Sequence, residues 1–483
     1  MRSSVTRRKF VQGGARLTAT AALAGAPAIL AADSRPNIIL CMGDDHGWNE
    51  TAYNGHPYLH TPVLDDMAAT GLRFDHFHAA APVCSPTRGS IMTGRHPNRY
   101  GTFGANWSTR PEEITIAHLL RKGGYACGHF GKWHLGPVKA ASPTSPGAMG
   151  FDEWLSHDNF FEIDPHLSRN GGPVKQFKGE SSEIVVNDAI RFIGKAKQNR
   201  QPFLAVVWFG SPHAPYVGLE RDLALYKQAP EVLRARFAEI SALDRAMGQL
   251  RQYLKREGLR SNTLLWYCGD NGVPPEGRLT TPFRGHKGQL YEGGLRVPGI
   301  IEWPDRIPKH RVAYVNAVTS DMLPTICDLA GQPLPKRPLD GISLKPVLEG
   351  VMTERPSPIF FWQYDQRGRA SENPEPYIRS DLQQGTTPTA TLMDGRLTRS
   401  FRNYRYARVR EEDFGGAAAV LGNNYKLVAS PDSPARELYD LRKDEGETKD
   451  LSRIQPEIVK DMERQLREWQ RSVLTSLTGA DYR

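Results

Sequence analysis

Asn37-Ile38-Ile39-Leu40-Cys41-Met42-Gly43-Asp44-Asp45-His46-Gly47 is an uncharged, mostly apolar run that breaks into polar residues at a glycine. A short apolar run bounded by a turn signal fits a strand buried on both faces, as in a parallel sheet. Two adjacent carboxylates at the C-terminal end of such a strand repel each other unless a cation neutralises them. A solvated turn would also carry Asp and Gly. The strand in front favours a site, because open α/β sheets bind ligands beyond the carboxyl ends of their strands.

The same pattern recurs along the chain. Tyr125–Phe130 reads as a strand and runs into Gly131-Lys132-Trp133-His134-Leu135-Gly136. Phe203–Phe209 ends at Ser211-Pro212-His213-Ala214-Pro215, and Thr263–Cys268 ends at Gly269-Asp270-Asn271-Gly272. The glycine-rich turn Arg284-Gly285-His286-Lys287-Gly288 precedes another strand near Val297–Glu302, and Leu72–Phe77 is a short extended run. Helices are expected from Thr61-Pro62, over Pro111–Lys122, Ser181–Ala196 and Asp321–Leu329, and over Pro230–Arg256, where Leu233, Phe237, Ile240, Leu243, Met247, Leu250 and Leu254 keep a helical period. Strands alternating with helices imply an α/β fold, a mostly parallel central sheet sandwiched by helices, with its polar residues gathered at the carboxyl edge. Residues 137–180, rich in Pro, Gly, Ser and Asn, read mostly as loops.

Beyond about residue 355 the character changes. Phe401–Val409 and Tyr425–Val428 read as antiparallel strands, and Pro456–Leu474 as a closing helix with Pro at its first position. The expected domains are therefore 33–355 and a smaller C-terminal α+β subdomain, 356–483, built on an antiparallel sheet. Residues 1–32 read as a twin-arginine signal peptide. Thr6-Arg7-Arg8-Lys9-Phe10-Val11 leads into a mildly apolar stretch from Leu17 to Leu30, and Ala26, Ala28, Ala31 and Ala32 suit cleavage. A basic N-terminal arm is the other reading. The stretch is too short and weakly apolar to span a bilayer, and no later segment resembles a transmembrane helix. Export machinery of the twin-arginine type becomes an expected partner, and the periplasm or exterior the expected location.

The 483 residues carry a formal charge of +9, of which Arg2, Arg7, Arg8, Lys9 and Arg16 supply five; without them the remainder holds +4. That mild excess suits anionic small substrates and gives little ground for nucleic acid, which is not expected as a partner. With 39% hydrophobic and 24% charged residues the chain can bury a large core. Five widely spaced cysteines exclude a disulfide framework and a Cys-rich zinc site. Cys41, Cys127 and Cys268 fall in expected strands and read as apolar fillers.

Cys84 stands apart, in Cys84-Ser85-Pro86-Thr87-Arg88-Gly89. Pro86 suits the first position of a helix, where its missing N–H costs nothing. Cys84 would then precede free backbone N–H groups that favour an anion, with Arg88 about one turn away. An isolated cysteine is more often a structural residue, and this stretch alone leaves both readings open.

Taken together the motifs resemble the formylglycine-dependent sulfatases of the alkaline phosphatase superfamily. The matches run in family order: the Asp44-Asp45 pair, Cys84-Ser85-Pro86-Thr87-Arg88, Gly131-Lys132-Trp133-His134-Leu135-Gly136, Pro212-His213, Asp270-Asn271 and Lys287, with Glu437-Leu438-Tyr439-Asp440-Leu441 near the C-terminus. The resemblance implies that Cys84 is oxidised to formylglycine by a formylglycine-generating or anaerobic sulfatase-maturating enzyme. It implies that Asp44, Asp45, Asp270 and Asn271, with the modified Cys84, hold Ca²⁺ or Mg²⁺ through hard oxygen ligands. Arg88 would fix the hydrated aldehyde, Lys132 and Lys287 would neutralise sulfate, His213 would protonate the leaving alcohol with help from Lys287, and His134 would act as base. A lone Lys or His on a loop is otherwise a solvated residue, and Asn271 otherwise a turn former. His46, His129 and His286 are weaker candidates.

The implied reaction is hydrolysis of sulfate monoesters, with a sulfated saccharide as the expected substrate. Specificity is expected from Asn106-Trp107, from His157–Arg169 and from the basic run Arg396–Arg410, in which Arg399, Arg402 and Arg405 could read further anions. A solvated sheet edge is the plainer account of that run. The alternatives are a phosphoester or phosphonate hydrolase of the same superfamily and a non-catalytic binder of sulfated glycans.

Overall fold

The computed structural model describes residues 35–364, 375–389, 398–431 and 435–482. The signal segment 1–32 and Arg396 lie outside the described residues. In chain order the strands are β1 (Asn37–Gly43), β2 (Leu72–Phe74), β3 (Phe77–His78), β4 (Ala126–Lys132), β5 (Glu153–His157), β6 (His166–Arg169), β7 (Val174–Gln176), β8 (Phe203–Trp208), β9 (Thr263–Gly269), β10 (Gly299–Glu302), β11 (Arg311–Ala313), β12 (Ala317–Val318), β13 (Ile359–Trp362), β14 (Ala418–Leu421), β15 (Tyr425–Ala429) and β16 (Arg436–Asp440). The large sheet runs in the order β11-β2-β10-β9-β1-β8-β4-β5-β6-β7. Its centre, β9-β1-β8-β4-β5, is parallel, and β10, β6 and β7 pair antiparallel at the flanks.

The strands are buried on both faces, as the opening apolar run requires. Ile38, Leu40 and Met42 of β1 join Leu204, Val206 and Trp208 of β8 and Leu264, Trp266 and Cys268 of β9 in one core layer. That layer is completed by Ile91 and Met92 of helix α2 and by Met322, Leu323 and Ile326. Ile39 and Cys41 face the other way and join Leu64 and Met67 of α1, Val185 and Phe192 of a third helix, and Leu243, Met247 and Leu250 of the long helix Glu231–Arg256. Here α1 spans Pro62–Thr70, α2 Cys84–Thr93, α3 Ile116–Lys122 and α4 Ser181–Gln198. Helices on both faces of a mostly parallel sheet match the expected architecture. The apolar residues Leu233 to Leu254 of Glu231–Arg256 are buried, as their period implies. A separate antiparallel sheet, β13-β14-β15-β16, packs under the closing helix Pro456–Leu477.

Four local expectations are corrected. Helix α2 starts at Cys84, so Pro86 is its third residue; proline is tolerated there because the N–H groups of a first turn have no partner within the helix. The helix expected over Pro111–Lys122 covers only Ile116–Lys122, because Thr115 caps it by accepting from His118 N. Three strands, β5 to β7, occupy part of the loop region 137–180. They are short and polar, and β6 and β7 lie at an edge, so no apolar run announces them. Phe401–Val409 is not a strand: Arg402 and Tyr404 make single bridges to Trp107 and Pro376, different segments, so no ladder forms.

Candidate active site

The parallel centre of the sheet brings distant residues together at one edge. Gly43 on β1 is in register with Gly269 on β9, so Asp44 and Asp270 emerge side by side. Asp270 N donates to Gly43 O, and Asp45 N donates to Asp270 Oδ1 at 2.8 Å. Lys132 closes β4, and the turn Ser211-Pro212-His213 follows β8, with Asp44 N donating to Ser211 O. A Cβ on Gly131 would stand 1.9 Å from Trp208 O, so only glycine lets β4 approach β8 just before Lys132.

Helix α2 aims its N-terminus at this edge. Cys84 Sγ and one carboxylate oxygen each from Asp44 and Asp270 lie within 4.8 Å of one another. Asp44, Asp45 and His213 make a second such group. Arg88, fully buried, donates to Asp270 Oδ2 at 2.7 Å and to Lys132 O at 3.0 Å, and lies 3.4 Å from Asp44 Oδ1. Lys132 Nζ donates to Asp44 Oδ2 at 2.6 Å. Lys287 Nζ donates to Asp45 Oδ2 at 2.8 Å, and Asn271 Nδ2 donates to Asp45 Oδ1 at 2.9 Å. Every residue expected at the site is therefore present in one constellation, with His134 at its margin.

At the site three non-glycine residues carry left-handed backbone, Asp45 (φ 61°), His134 (φ 57°) and its partner Asn106 (φ 61°). Strain of this kind persists where surrounding contacts hold it, as at functional sites. Around Asp45 the contact is Arg236, from the long helix. It is fully buried, donates to Asp45 O and Pro212 O at 2.5 Å each, and is paired with Glu50 at 2.6 Å. Neither Arg236 nor Glu50 was expected at the site. The available signal was an arginine beside Leu233, Phe237 and Ile240, on the buried stripe of an amphipathic helix.

The electrostatics are those of an anionic pocket held by cations. Burial pushes Asp45 up, but Lys287 and His213 outweigh it and hold the carboxyl well below the usual range. Burial and the neighbouring Asp44 raise Asp270 to about 7, against Arg88. Burial pushes the Cys84 thiol up, although Lys132 and Lys287 pull the other way. Lys287 is held above the usual lysine value by Asp45 despite its burial. Burial lowers His213 to about 3, with Lys132 and Lys287 adding to it and Asp45 opposing. Burial and the cations Lys132 and Arg88 keep His134 far below its ordinary value. Its Nε2 meets Asn106 Oδ1 at 3.1 Å, and its Nδ1 is buried without a partner.

Oxygen donors for a cation are available. Asp44 Oδ1 and Asn271 Oδ1 are buried and accept no hydrogen bond. A buried acceptor with no donor is costly unless something else satisfies it. Asp44, Asp45, Asp270 and Asn271 form an all-oxygen set that fits a hard divalent cation.

Of the weaker candidates, His46 and His129 are held by structural partners. His46 bonds Tyr267 and Glu50 O, and His129 bonds Ser156. His286, half-buried, meets the neighbouring Lys287 O. Cys41, Cys127 and Cys268 are buried, as apolar fillers are. Trp107 is buried against Phe103 and Tyr404, with Arg402 over its ring, so it offers no open face to a sugar.

Residues 36–332 match the family model described as Sulfatase. The chain is 32% identical over 375 residues to N-acetylgalactosamine-6-sulfatase of Sus scrofa, covering 69% of this chain and 70% of that protein. It is 31% identical over 407 residues to arylsulfatase A of Homo sapiens, covering 76% and 78%. The solved structure of Ps i-CgsB in complex with k-i-k-neocarrahexaose superposes with a TM-score of 0.75 at 23% identity, over 91% of this chain and 93% of that one, a likeness of fold.

Proposed function

Since the chain belongs to the sulfatase family and is a sulfuric ester hydrolase, we propose that it cleaves sulfate monoesters of a carbohydrate, using a formylglycine made from Cys84 and a bound Ca²⁺. The observation that carries this reading is the convergence of Cys84, Asp44 and Asp270 within 4.8 Å, beside Arg88 and Lys132. Asp44, Asp45, Asp270 and Asn271 would hold the cation, Ca²⁺ or the similarly oxygen-seeking Mg²⁺. When bound it supplies Lewis acidity to the sulfate and to the nucleophile. The hydrated aldehyde would supply an oxygen nucleophile; loss of sulfate would re-form the aldehyde, and water would then rehydrate it.

The chain's own side chains supply the rest. Arg88 spans Asp270 and the Lys132 carbonyl, which fixes its guanidinium beside residue 84. Lys132 and Lys287 each keep N–H groups beyond the carboxylates they pair with, and these can meet sulfate oxygens as charge develops. His213 gives its Nδ1 to Ala214 O at 2.6 Å, so Nε2 is the nitrogen that handles a proton at the ester oxygen. An anionic ester at Lys132 and Lys287 offsets the two cations that depress His213, which draws a proton onto Nε2. His134, whose Nε2 lies against Asn106 Oδ1 at 3.1 Å and accepts from Asn106 N at 3.3 Å, leaves Nδ1 as its unpartnered ring nitrogen and is the group suited to move a proton on the return.

Cys84 is only 2% exposed, which supports conversion by a maturation enzyme before the fold closes. The names of the relatives support an amino-sugar or aryl sulfate ester. The basic leader Thr6-Arg7-Arg8-Lys9-Phe10-Val11 supports export to the periplasm or beyond. No described helix is long and apolar enough to cross a membrane. The test compares nitrophenyl sulfate with nitrophenyl phosphate on enzyme whose residue 84 has been read by peptide mass. Sulfate turnover exceeding phosphate turnover, lost in Cys84→Ala with the fold retained, is expected. Faster phosphate turnover, or activity surviving Cys84→Ala, overturns the assignment.

A further inference from the structure

The structure separates three arginines of the C-terminal basic run. Arg402 stacks on Trp107 with its guanidinium 4.7 Å from the ring centroid. Arg405 lies over Tyr377 and faces Glu375 at 3.8 Å. Arg399 differs: among the described residues its guanidinium has no carboxylate partner, and it lies 5.4 Å over the ring of Phe160. Phe160 in turn stacks on His213, with centroids 4.6 Å apart and planes 15° from parallel. His213 Nε2 is 3.7 Å from Asp45 Oδ2. Arg399 is thus two ring contacts from the carboxylate cluster.

The backbone explains the sorting. Residues 398–404 run along the rim, with Gly385 N donating to Arg399 O and Arg402 N donating to Asn106 O. In extended chain, alternate side chains share a face. Phe401 faces His134, with ring centroids 6.2 Å apart, and Arg399, two residues earlier, faces Phe160 above His213. Arg402 points the other way, onto Trp107. Cys84, Asp44 and Lys132 are buried, whereas His213, Lys287 and Arg399 are half-buried.

We propose that Arg399 is a specificity residue that binds a second anionic group of the substrate, a carboxylate or sulfate next to the ester being cleaved. This rests on the carbohydrate sulfatase reading above. Guanidinium matches planar or tetrahedral oxyanions through paired N–H donors, and a half-buried unpaired one is available to a ligand without first breaking an ion pair. Phe160 holds its underside, which limits the freedom lost on binding.

Binding is measured on the Cys84→Ala protein, which separates recognition from turnover. The probes are a hexosamine with one sulfate, a hexosamine with two, and a sulfated disaccharide with a uronate. Arg399→Gln is expected to raise Kd about ten-fold or more for at least one two-anion ligand, and by less than about two-fold for the single sulfate. The larger loss identifies sulfate or carboxylate as the second anion. Arg399→Lys should recover part of the loss, and Arg405→Gln should not discriminate. An equal rise for all three ligands, the signature of a packing role through Phe160, overturns the proposal, as does no rise at all. Turnover of nitrophenyl sulfate by the unaltered enzyme checks the underlying sulfatase reading independently.

Discussion

At the scale of single residues, the site is a balance between buried carboxylates and the cations that hold them. His213 shows the consequence. Its Nδ1 is engaged by Ala214 O, burial lowers it to about 3, and only Nε2 faces the cluster. A proton on Nε2 is useful in the transition state of a poor leaving group, such as a sugar alkoxide. Nitrophenolate leaves without one. His213→Gln should therefore lower kcat for a sugar sulfate by about 10²-fold or more, while nitrophenyl sulfate loses much less. A series of leaving groups of rising basicity is the measurement, and the variant should show the steeper dependence. Equal losses across the series would mean that His213 holds the sulfate and does not protonate the alcohol. Cys84 is explained at the same scale. Its thiol is pushed up by burial, which disfavours the thiolate and agrees with the proposed oxygen nucleophile at this position.

At the scale of elements, two helices build the site from opposite faces of the sheet. Helix α2 delivers Cys84 and Arg88 from its first turns. The long helix Glu231–Arg256 packs beneath the other face and sends one arginine through to the loops. Arg236 pairs with Glu50 and ties down the carbonyls of Asp45, a site residue, and Pro212, which precedes His213. Arg236→Met keeps much of the volume but leaves Glu50 buried and charged. The expected cost is about 3–5 kcal/mol in urea unfolding, as for other broken buried pairs. Glu50→Gln with Arg236→Met should restore most of that stability, because no lone charge remains. Activity should stay low in the double variant, since Asp45 and the His213 turn have lost their tether. Recovered activity would show that the pair serves stability alone.

At the scale of the whole molecule, strands ending in polar residues made the architecture legible before any coordinates. Apolar runs such as Ile38–Met42 and Phe203–Phe209 report burial on both faces, and their polar ends report the edge. Polar edge strands β6 and β7 and the bridged segment at Arg402 were illegible because they bury little and pair one or two residues at a time. The pairing of Arg236 with Glu50 was illegible because 186 residues of chain separate them, and Glu50 alone looks like a surface charge, although Arg236 sits on a buried stripe. Lys426 on β15 belongs to the same class. It is fully buried, reaches Glu292 and Glu447 at 2.9 Å each, and Glu292 also meets His78 of β3 at 3.1 Å. The antiparallel sheet is thereby pinned to the segment that follows Lys287. Lys426 is shared between two buried carboxylates, and the second cation, Arg296, lies 3.9 Å from Glu292. Glu292 is held well below the usual range, Lys426 and His78 outweighing its burial. Glu447 is raised to about 7 by burial and by Glu292, against Lys426. A carboxyl raised in the folded state favours folding while protonated. Its contribution is fully present below the ordinary value of 4.5 and is lost as pH rises through about 7. Glu447→Gln keeps the acceptor for the Glu292 N–H and cannot ionise. Its Tm should therefore fall less than that of the unaltered protein as pH is raised from below 4.5 to above 7. Parallel slopes for the two proteins would show that Glu447 is ionised throughout and that Lys426 satisfies both carboxylates.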